Sequence, residues 1–443
     1  MIRIILVRHG ESTYNLANMV QGRGSQANKS VLTDTGISQA KLAGQAIANI
    51  RFDQAYSSPL QRAQQTAEII LSYQPTAPQL TTHEGLYEID LRGWEGMTFS
   101  EIQDKFPEQF NYWQDAPYQL CLDGVYPVVE LFKQAQQFWQ DLLNQPQTPE
   151  QINILLVAHS GINRALICTA LGIDIMHYHH LQQTNCGINV LNYRAGQWQL
   201  EALNLTSHLQ PLTGSPLPPV RKHHHGQRIL LVRHGETEWN RQKRFQGQMD
   251  IPLNSTGEEQ GRKTAEFLAE VPINRAFSSP LLRPKQTAML ILQKHPAVPL
   301  ELMPELQEIS HGLWEGKLEA EVQLDYSQAL SDWQTRPETV QMPQGENLDQ
   351  VWARVAQGWQ SILAMTNAGE TSLVVAHDAV NKAILCQLVG LTPAYFWAFK
   401  QGNGSVTVID YPKGRDHAPY MQSVNITTHL SGSVLDTTTA GAL

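Results

Sequence analysis

The chain has 443 residues, too many for one ordinary core; at about 100–200 residues per domain it divides into two or three. Hydrophobic residues make up 42%, enough for globular cores, which excludes disorder throughout, and charged residues make up only 16%. A formal net charge of −9 without Lys/Arg blocks excludes the electrostatic footprint of a nucleic-acid or anionic-membrane binder, so any anionic ligand has to be held by a local cluster of positive charge.

In chain order, residues 2–7 form a strand-sized apolar run bounded by Arg3 and Arg8, too short for a signal-peptide core or a membrane span. It runs into Arg8-His9-Gly10-Glu11, with Asn15 close behind. Thr33 is expected to cap a helix whose apolar stripe is Ile37, Ala40, Gly44 and Ile47. Ser58-Pro59 puts a serine before proline, read as the capped opening of the helix that carries Arg62. Glu88 opens the run Glu-Ile-Asp-Leu-Arg-Gly-Trp-Glu-Gly, in which Arg92 is a candidate for a second anionic group and Trp94 a packing residue. Residues 154–157 read as a second strand buried on both faces, ending at His159. His177, His179 and His180 follow, expected as a rim cluster and not as a metal trio. Cys121, Cys168, Cys186 and Cys386 contain no CxxC pair and make no disulfide framework; with no secretory signal they point to a soluble, cytoplasmic protein.

After residue 210 the chain starts again. Residues 4–15 return as 229–240, Ser57-Ser-Pro-Leu60 as Ser278-Ser-Pro-Leu281, the Glu88 run as Glu308-Ile-Ser-His-Gly-Leu-Trp-Glu-Gly316, and Val157-Ala-His159 as Val375-Ala-His377. Anchors in one order at nearly constant spacing mean tandem copies of one domain. The expected organisation is a first domain at 1–210, a proline-stiffened linker at 211–227, a second domain at 228–430 and a frayed, disordered tail at 431–443. The run His223-His224-His225 reads as a solvated part of that linker. Alternating strand and helix signals predict an α/β fold, each copy a mostly parallel sheet flanked by helices. Ligands of such sheets gather beyond the C-terminal strand ends, where Arg8, His9 and His159 fall.

The repeated polar groups are few: Arg8, His9, Arg62, Glu88 and His159 in the first copy, and Arg233, His234, Arg283, Glu308 and His377 in the second. Neither a duplicated Ser/His/Asp set, nor metal-ligand spacing, nor a Walker loop accompanies them. Two arginines and two histidines make a cationic pocket whose guanidinium forks match phosphate oxygens. A histidine nitrogen can act as nucleophile and a carboxylic acid can protonate a leaving alkoxide. These residue types suggest phosphoryl transfer through a phosphohistidine.

Arg-His-Gly-Glu-(Ser/Thr), Ser-Ser-Pro-Leu-x-Arg, the Glu…Trp-Glu-Gly run and the late Val-Ala-His together resemble the histidine phosphatase superfamily, in its phosphoglycerate mutase-like branch, over nearly all of both copies. The resemblance implies that His9 and His234 take up the phosphoryl group, that Glu88 and Glu308 donate the proton to the leaving oxygen, and that Arg8, Asn15, Arg62 and His159, with Arg233, Asn240, Arg283 and His377, bind the phosphate. It implies no metal and no organic cofactor, and a small phosphorylated metabolite as partner. In the mutases the donor glutamate is followed by Arg-His-Tyr-Gly; neither copy has this, so phosphatase is preferred to phosphoglycerate mutase-type transfer. Asp123-Gly-Val-Tyr-Pro-Val-Val-Glu-Leu131 and Leu181-Gln-Gln-Thr-Asn-Cys-Gly187, in a tandem chain of this length, are similar to the 2-carboxy-D-arabinitol 1-phosphate phosphatases of photosynthetic organisms. The implied activity is hydrolysis of a small anionic sugar phosphate. The alternative outside the enzyme class, a scaffold that binds phosphorylated ligands through an inactive copy, is disfavoured because both copies keep all five groups. Departures within the second copy are Pro284, expected to shift Arg283, and Asp378, which could raise the pKa of His377 or turn to solvent.

Overall fold

In the computed structural model, which describes residues 1–24, 29–145, 151–221 and 224–438, each apolar run of the sequence becomes a strand. The chain divides into two compact units, Met1–Pro219 and Val220–Leu443. In the first, the strands are β1 (Ile2–Arg8), β2 (Gln54–Ser57), β3 (Leu80–Thr82), β4 (Ile152–Ala158), β5 (Ile188–Arg194) and β6 (Gln197–Leu205), in the spatial order β3-β2-β4-β1-β5-β6. The first four are mutually parallel where they pair, and β5 and β6 add an antiparallel edge. The second unit repeats this with β7 (Arg228–Arg233), β8 (Arg275–Ser278), β9 (Leu300–Leu302), β10 (Thr371–Ala376), β11 (Val406–Asp410) and β12 (Tyr420–Ile426), ordered β12-β11-β7-β10-β8-β9. The two α/β sheets are thus mixed, with a parallel centre flanked by helices.

The strands that carry the site are deeply buried. Ile4 to Val7 in β1 and Ile154 to Ala158 in β4 are fully covered, which is why both read as unbroken apolar runs and not as alternating ones. Parallel pairing in register sets Arg8 opposite Ala158, so that His9 and His159, one residue further on, emerge side by side at the same sheet edge. The equivalent pairing of β7 with β10 sets Arg233 opposite Ala376. The predicted capping repeats in both units: Thr33 caps Asp34–Ala46 through the Gly36 amide, and Asn254 caps Ser255–Leu268 through the Gly257 amide.

Three expectations change. The stretch read as linker is not a bare tether over its described residues: Leu217 is buried, Ser207 Oγ donates to the Pro216 carbonyl, and Arg221 stacks on the ring of Tyr420. Of the histidine run, His223 lies outside the described residues. The tail also packs as far as it is described, with Val434 buried and Asp436 paired to Lys400 at 3.4 Å, because one apolar side chain and one ion pair hold a segment that composition alone reads as free. Finally, the helices after the two Ser-Pro pairs begin at Gln61 and Leu282, later than expected, and their N-cap residues Leu60 and Leu281 make no side-chain cap.

Candidate active site

At the ends of β1 and β4 the rings of His9 and His159 stand edge to face, 5.1 Å apart between centroids; His234 and His377 repeat this at 5.2 Å. His9 Nδ1 lies 2.7 Å from the carbonyl oxygen of Gly10, and His234 Nδ1 lies 2.7 Å from that of Gly235. A carbonyl can only accept, so Nδ1 carries the proton and Nε2 presents its lone pair. In the second unit Arg283 Nε donates to that nitrogen at 3.3 Å. Burial first, and then the two neighbouring arginines, holds His9 and His234 well below the usual histidine range, so both rings are neutral near pH 7. The tautomer and the charge state therefore agree: each ring offers an unprotonated Nε2 inside a cluster of cations.

The second histidine is held differently. His159 Nε2 meets Ser58 Oγ at 2.8 Å and His377 Nε2 meets Ser279 Oγ at 2.9 Å, which leaves both Nδ1 atoms buried without a partner. The serines read as helix caps are the anchors of these imidazoles. The reason is topological: β2 and β4 are parallel neighbours, so the residue after β2 sits beside the residue after β4.

The arginines are seated by backbone oxygens. Arg8 Nη1 donates to the Gln183 carbonyl at 2.8 Å and Arg62 Nη2 to the Gly22 carbonyl at 3.1 Å. Arg233 and Arg283 repeat this on Gln401 and Gly247, at 2.5 and 2.7 Å. Gly22 and Gly247 both have φ of +55°, and a Cβ on either would sit 2.0 Å from the carboxylate of Glu95 or Glu315, so glycine is required where the chain turns to offer that oxygen. Arg62 and Arg283 are almost fully buried, and burial pulls both down to about 10. Arg8 Nε and Arg233 Nε are buried without a partner. Pro284 does not displace Arg283: it lies in the first helical turn, where the backbone N–H has no intrahelical acceptor to lose.

Glu88 reaches the start of the helix Ser160–Leu171, where its carboxylate accepts from Gly161 and Ile162 N–H, each at 3.2 Å, and from Ile89 N–H at 2.9 Å. A Cβ at Gly161 would lie 2.4 Å from Glu88 Oε1. The second unit has Ala379 at the matching position, and there the Ala379 N–H to Glu308 contact lengthens to 3.5 Å. Burial, reinforced by Asp378, raises the pKa of Glu308, favouring the protonated acid. Asp378 does not raise the pKa of His377. It pairs with Lys382 at 2.7 Å and with Arg233 at 3.6 Å, while burial and then Arg283 keep His377 low.

Asn15 and Asn240 join the cluster through their own capping boxes: each Oδ1 accepts the N–H three residues back, from Ser12 and Thr237. Two residues outside the sequence-derived set complete it. Asn185 Nδ2 bridges His9 O at 2.9 Å and Asn15 Oδ1 at 3.1 Å, and Asn403 Nδ2 does the same for His234 and Asn240 at 3.2 and 3.4 Å. Their signal is a repeated Gln-x-Asn, Gln183-Thr-Asn185 and Gln401-Gly-Asn403, at the same spacing as His159 and His377.

All twelve residues singled out from the sequence therefore converge, six to a unit. The remaining candidates do not. Arg92 is half-exposed and pairs with Asp90; Arg23 approaches the same carboxylate at 3.6 Å. These three line a cleft of about 350 Å³ with Tyr126, Leu131 and Gln134. His177 Nδ1 and His180 Nδ1 lie 3.1 Å apart and His179 packs on Trp113; no group of three or more metal-ligating side chains is found among the described residues. Cys168 and Cys386 are fully buried, and Trp94 and Trp314 fill the core beside the glutamates. No helix among the described residues is long and apolar enough to cross a membrane.

The sequence model of the histidine phosphatase superfamily (branch 1) matches residues 4–206 and again 229–426. The chain is 31% identical over 442 residues to a 2-carboxy-D-arabinitol-1-phosphatase of Triticum aestivum, covering 97% of this chain and 86% of that one. A protein of Arabidopsis thaliana described as a probable 2-carboxy-D-arabinitol-1-phosphatase is 30% identical over the same length, covering 97% and 88%. Phosphoserine phosphatase 1 of Hydrogenobacter thermophilus is 34% identical over 205 residues, 46% of this chain and 94% of that one.

Proposed function

The chain belongs to the histidine phosphatase superfamily and is a phosphatase, and from that premise we propose that both units hydrolyse small phosphomonoesters through a phosphohistidine, each at its own site. The observation that carries this reading is the histidine whose Nδ1 is tied to its neighbour's carbonyl while Nε2 stays unprotonated beside two arginines.

In the first unit, the phosphate dianion enters between Arg8, Arg62, His159 and Asn15, whose fixed donors suit the charge on its peripheral oxygens as the ester bond breaks. His9 Nε2 attacks phosphorus and forms the P–N bond; the P–O ester bond breaks, and Glu88 gives its proton to the departing alkoxide. A water then attacks phosphorus, Glu88 takes up its proton, the P–N bond breaks and phosphate leaves. His234, Glu308, Arg233, Arg283, His377 and Asn240 play the same parts in the second unit. For the first unit we propose a sugar phosphate with a second negative charge, 2-carboxy-D-arabinitol 1-phosphate being the foremost candidate. Two arginines sharing the single carboxylate of Asp90 in the neighbouring cleft support this, as does likeness along the whole chain to proteins named for that ester.

The test is phosphate release, in EDTA and without a bisphosphorylated primer, by wild type, His9→Ala, His234→Ala and the double variant. Substrates are p-nitrophenyl phosphate, hexose phosphates, phosphoserine and 2-carboxy-D-arabinitol 1-phosphate. Each single variant should lose a different part of the profile and the double variant all of it. Full activity in the double variant, or activity only with a primer, overturns the reading.

A further inference from the structure

Beyond the phosphate clamp, the second unit's site opens into a chamber. Its lining includes Trp333, Phe396, Trp397, His311, Asp378 and Arg244 beside the clamp residues. The matching positions of the first unit keep an aromatic wall, Trp113, Tyr178 and His179, but hold Leu91 in place of His311 and Ser160 in place of Asp378.

The charges in this chamber are already accounted for. Asp378 is held by Lys382 and Arg233. Arg244 donates to the Gly316 carbonyl at 2.6 Å and faces Glu321 at 3.7 Å. Burial lowers His311 to about 4, so it is neutral near pH 7. Among the described residues beside the chamber, the cations outside the clamp already face carboxylates, Arg244 facing Glu321 and Lys382 bound to Asp378, so a carboxylate on the leaving group would compete with them and lie near Asp378. An ammonium would find that same carboxylate already occupied by Lys382.

Hydrogen-bonding capacity, by contrast, is unspent. His311 Nδ1 and the Trp333 indole N–H are both buried without a partner. A ligand hydroxyl would relieve the cost of leaving each such group unpaired. The aromatic faces offer apolar area of the kind that covers the C–H face of a sugar ring. His311 is kept in place by packing edge-on against Phe245 at 5.2 Å and Trp333 at 5.9 Å, and the Trp397 indole N–H donates to the Trp333 carbonyl at 2.9 Å.

We propose that the second unit takes phosphomonoesters whose leaving group is uncharged and hydroxylated, a sugar or polyol, with His311 and the Trp333 N–H bonding its hydroxyls and the aromatic wall covering its carbon face. The proposal rests on the hydrolase reading above. It divides the two units by leaving group, the first taking a charged one and the second a neutral one.

The test uses the full chain with His9→Ala, so that only the second site works, and compares glucose 6-phosphate, 3-phosphoglycerate, phosphoserine and p-nitrophenyl phosphate. Glucose 6-phosphate should exceed both charged substrates in kcat/KM by about tenfold or more. Adding Trp333→Phe, which keeps the ring and deletes the N–H, or separately His311→Gln, should lower the ratio of kcat/KM for glucose 6-phosphate over p-nitrophenyl phosphate by about five- to tenfold. Preference for 3-phosphoglycerate or phosphoserine overturns the proposal, as does an equal loss on both substrates of that ratio. If His9→Ala hydrolyses none of the four, the hydrolase reading of this unit fails as well; turnover of p-nitrophenyl phosphate without a neutral-sugar preference refutes the leaving-group assignment alone.

Discussion

Acidification should destabilise this protein through its buried imidazoles, and the size of the effect follows from the structure. Burial, and then the neighbouring arginines, keeps His9, His159, His234 and His377 well below the usual value of 6.5 in the fold. Burial also takes His208 and His311 to about 4 and His429 to about 3. These rings stay neutral in the folded chain while the unfolded chain takes up protons near 6.5. Below that pH the unfolded state binds more protons, so each ring contributes stability that is full above 6.5 and is lost as the pH falls toward its folded value. One pH unit below 6.5, the loss is about 1.4 kcal/mol per ring. His9, His159 and His208 then cost the first unit about 4 kcal/mol, and His234, His311, His377 and His429 cost the second about 6, against about 5–15 for a whole domain. Urea unfolding in phosphate-free buffer, followed by tryptophan fluorescence at about pH 7.5 and about pH 5.5, reads the difference. His159→Gln should shrink the stability difference between these two pH values by about 1.4 kcal/mol. Stability that does not change across this window would mean that the rings take up protons in the fold as readily as in the unfolded chain, which would refute their low proton affinity.

Ser58→Ala leaves His159 Nε2 buried without its hydroxyl, and should cost about 1–3 kcal/mol in urea unfolding together with a fall in kcat at the first site. Glu88→Gln removes the proton donor, and in a His234→Ala background kcat should fall about 10²–10⁴-fold for a sugar phosphate and less for p-nitrophenyl phosphate, whose phenolate needs less protonation. Gly161→Ala puts a Cβ 2.4 Å from Glu88 Oε1; the displaced carboxylate should lower kcat in the same background, and unchanged kcat would show that the Gly161 contact does not set the position of the acid.

Legibility differed from residue to residue. The strands that carry the site were plain because a strand covered on both faces must be apolar throughout, as in Ile4 to Val7. The duplicated motifs then marked His9, His159 and their copies without any knowledge of distance. Ser58 was misread, since a serine before proline carries a strong local meaning, helix opening, whereas its actual role depends on β2 lying beside β4. Asn185, although inside the quoted run from Leu181 to Gly187, and Asn403 carry no site role on sequence alone because a Gln-x-Asn pair is too short to stand out, even though its spacing from the second histidine is the same in both copies. Pro284 and Asp378 were read through their neighbours in sequence, Arg283 and His377, but their effects depend on helix position and on Lys382, one helical turn away.

Some properties of this protein follow from residue types in order: the duplication, the α/β class, and a cationic site of two histidines, two arginines and a carboxyl group in each half. They are local or periodic, so a linear string can carry them. The tautomer and low proton affinity of His9 and His234, the serine anchors, Glu88 held by the Gly161 and Ile162 amides in one unit and Glu308 more loosely by that of Ala379 in the other, and the chamber lined by Trp333 and His311 were decided by tertiary structure alone. Each depends on burial or on a distance between groups far apart in the chain, and only the packed fold supplies those.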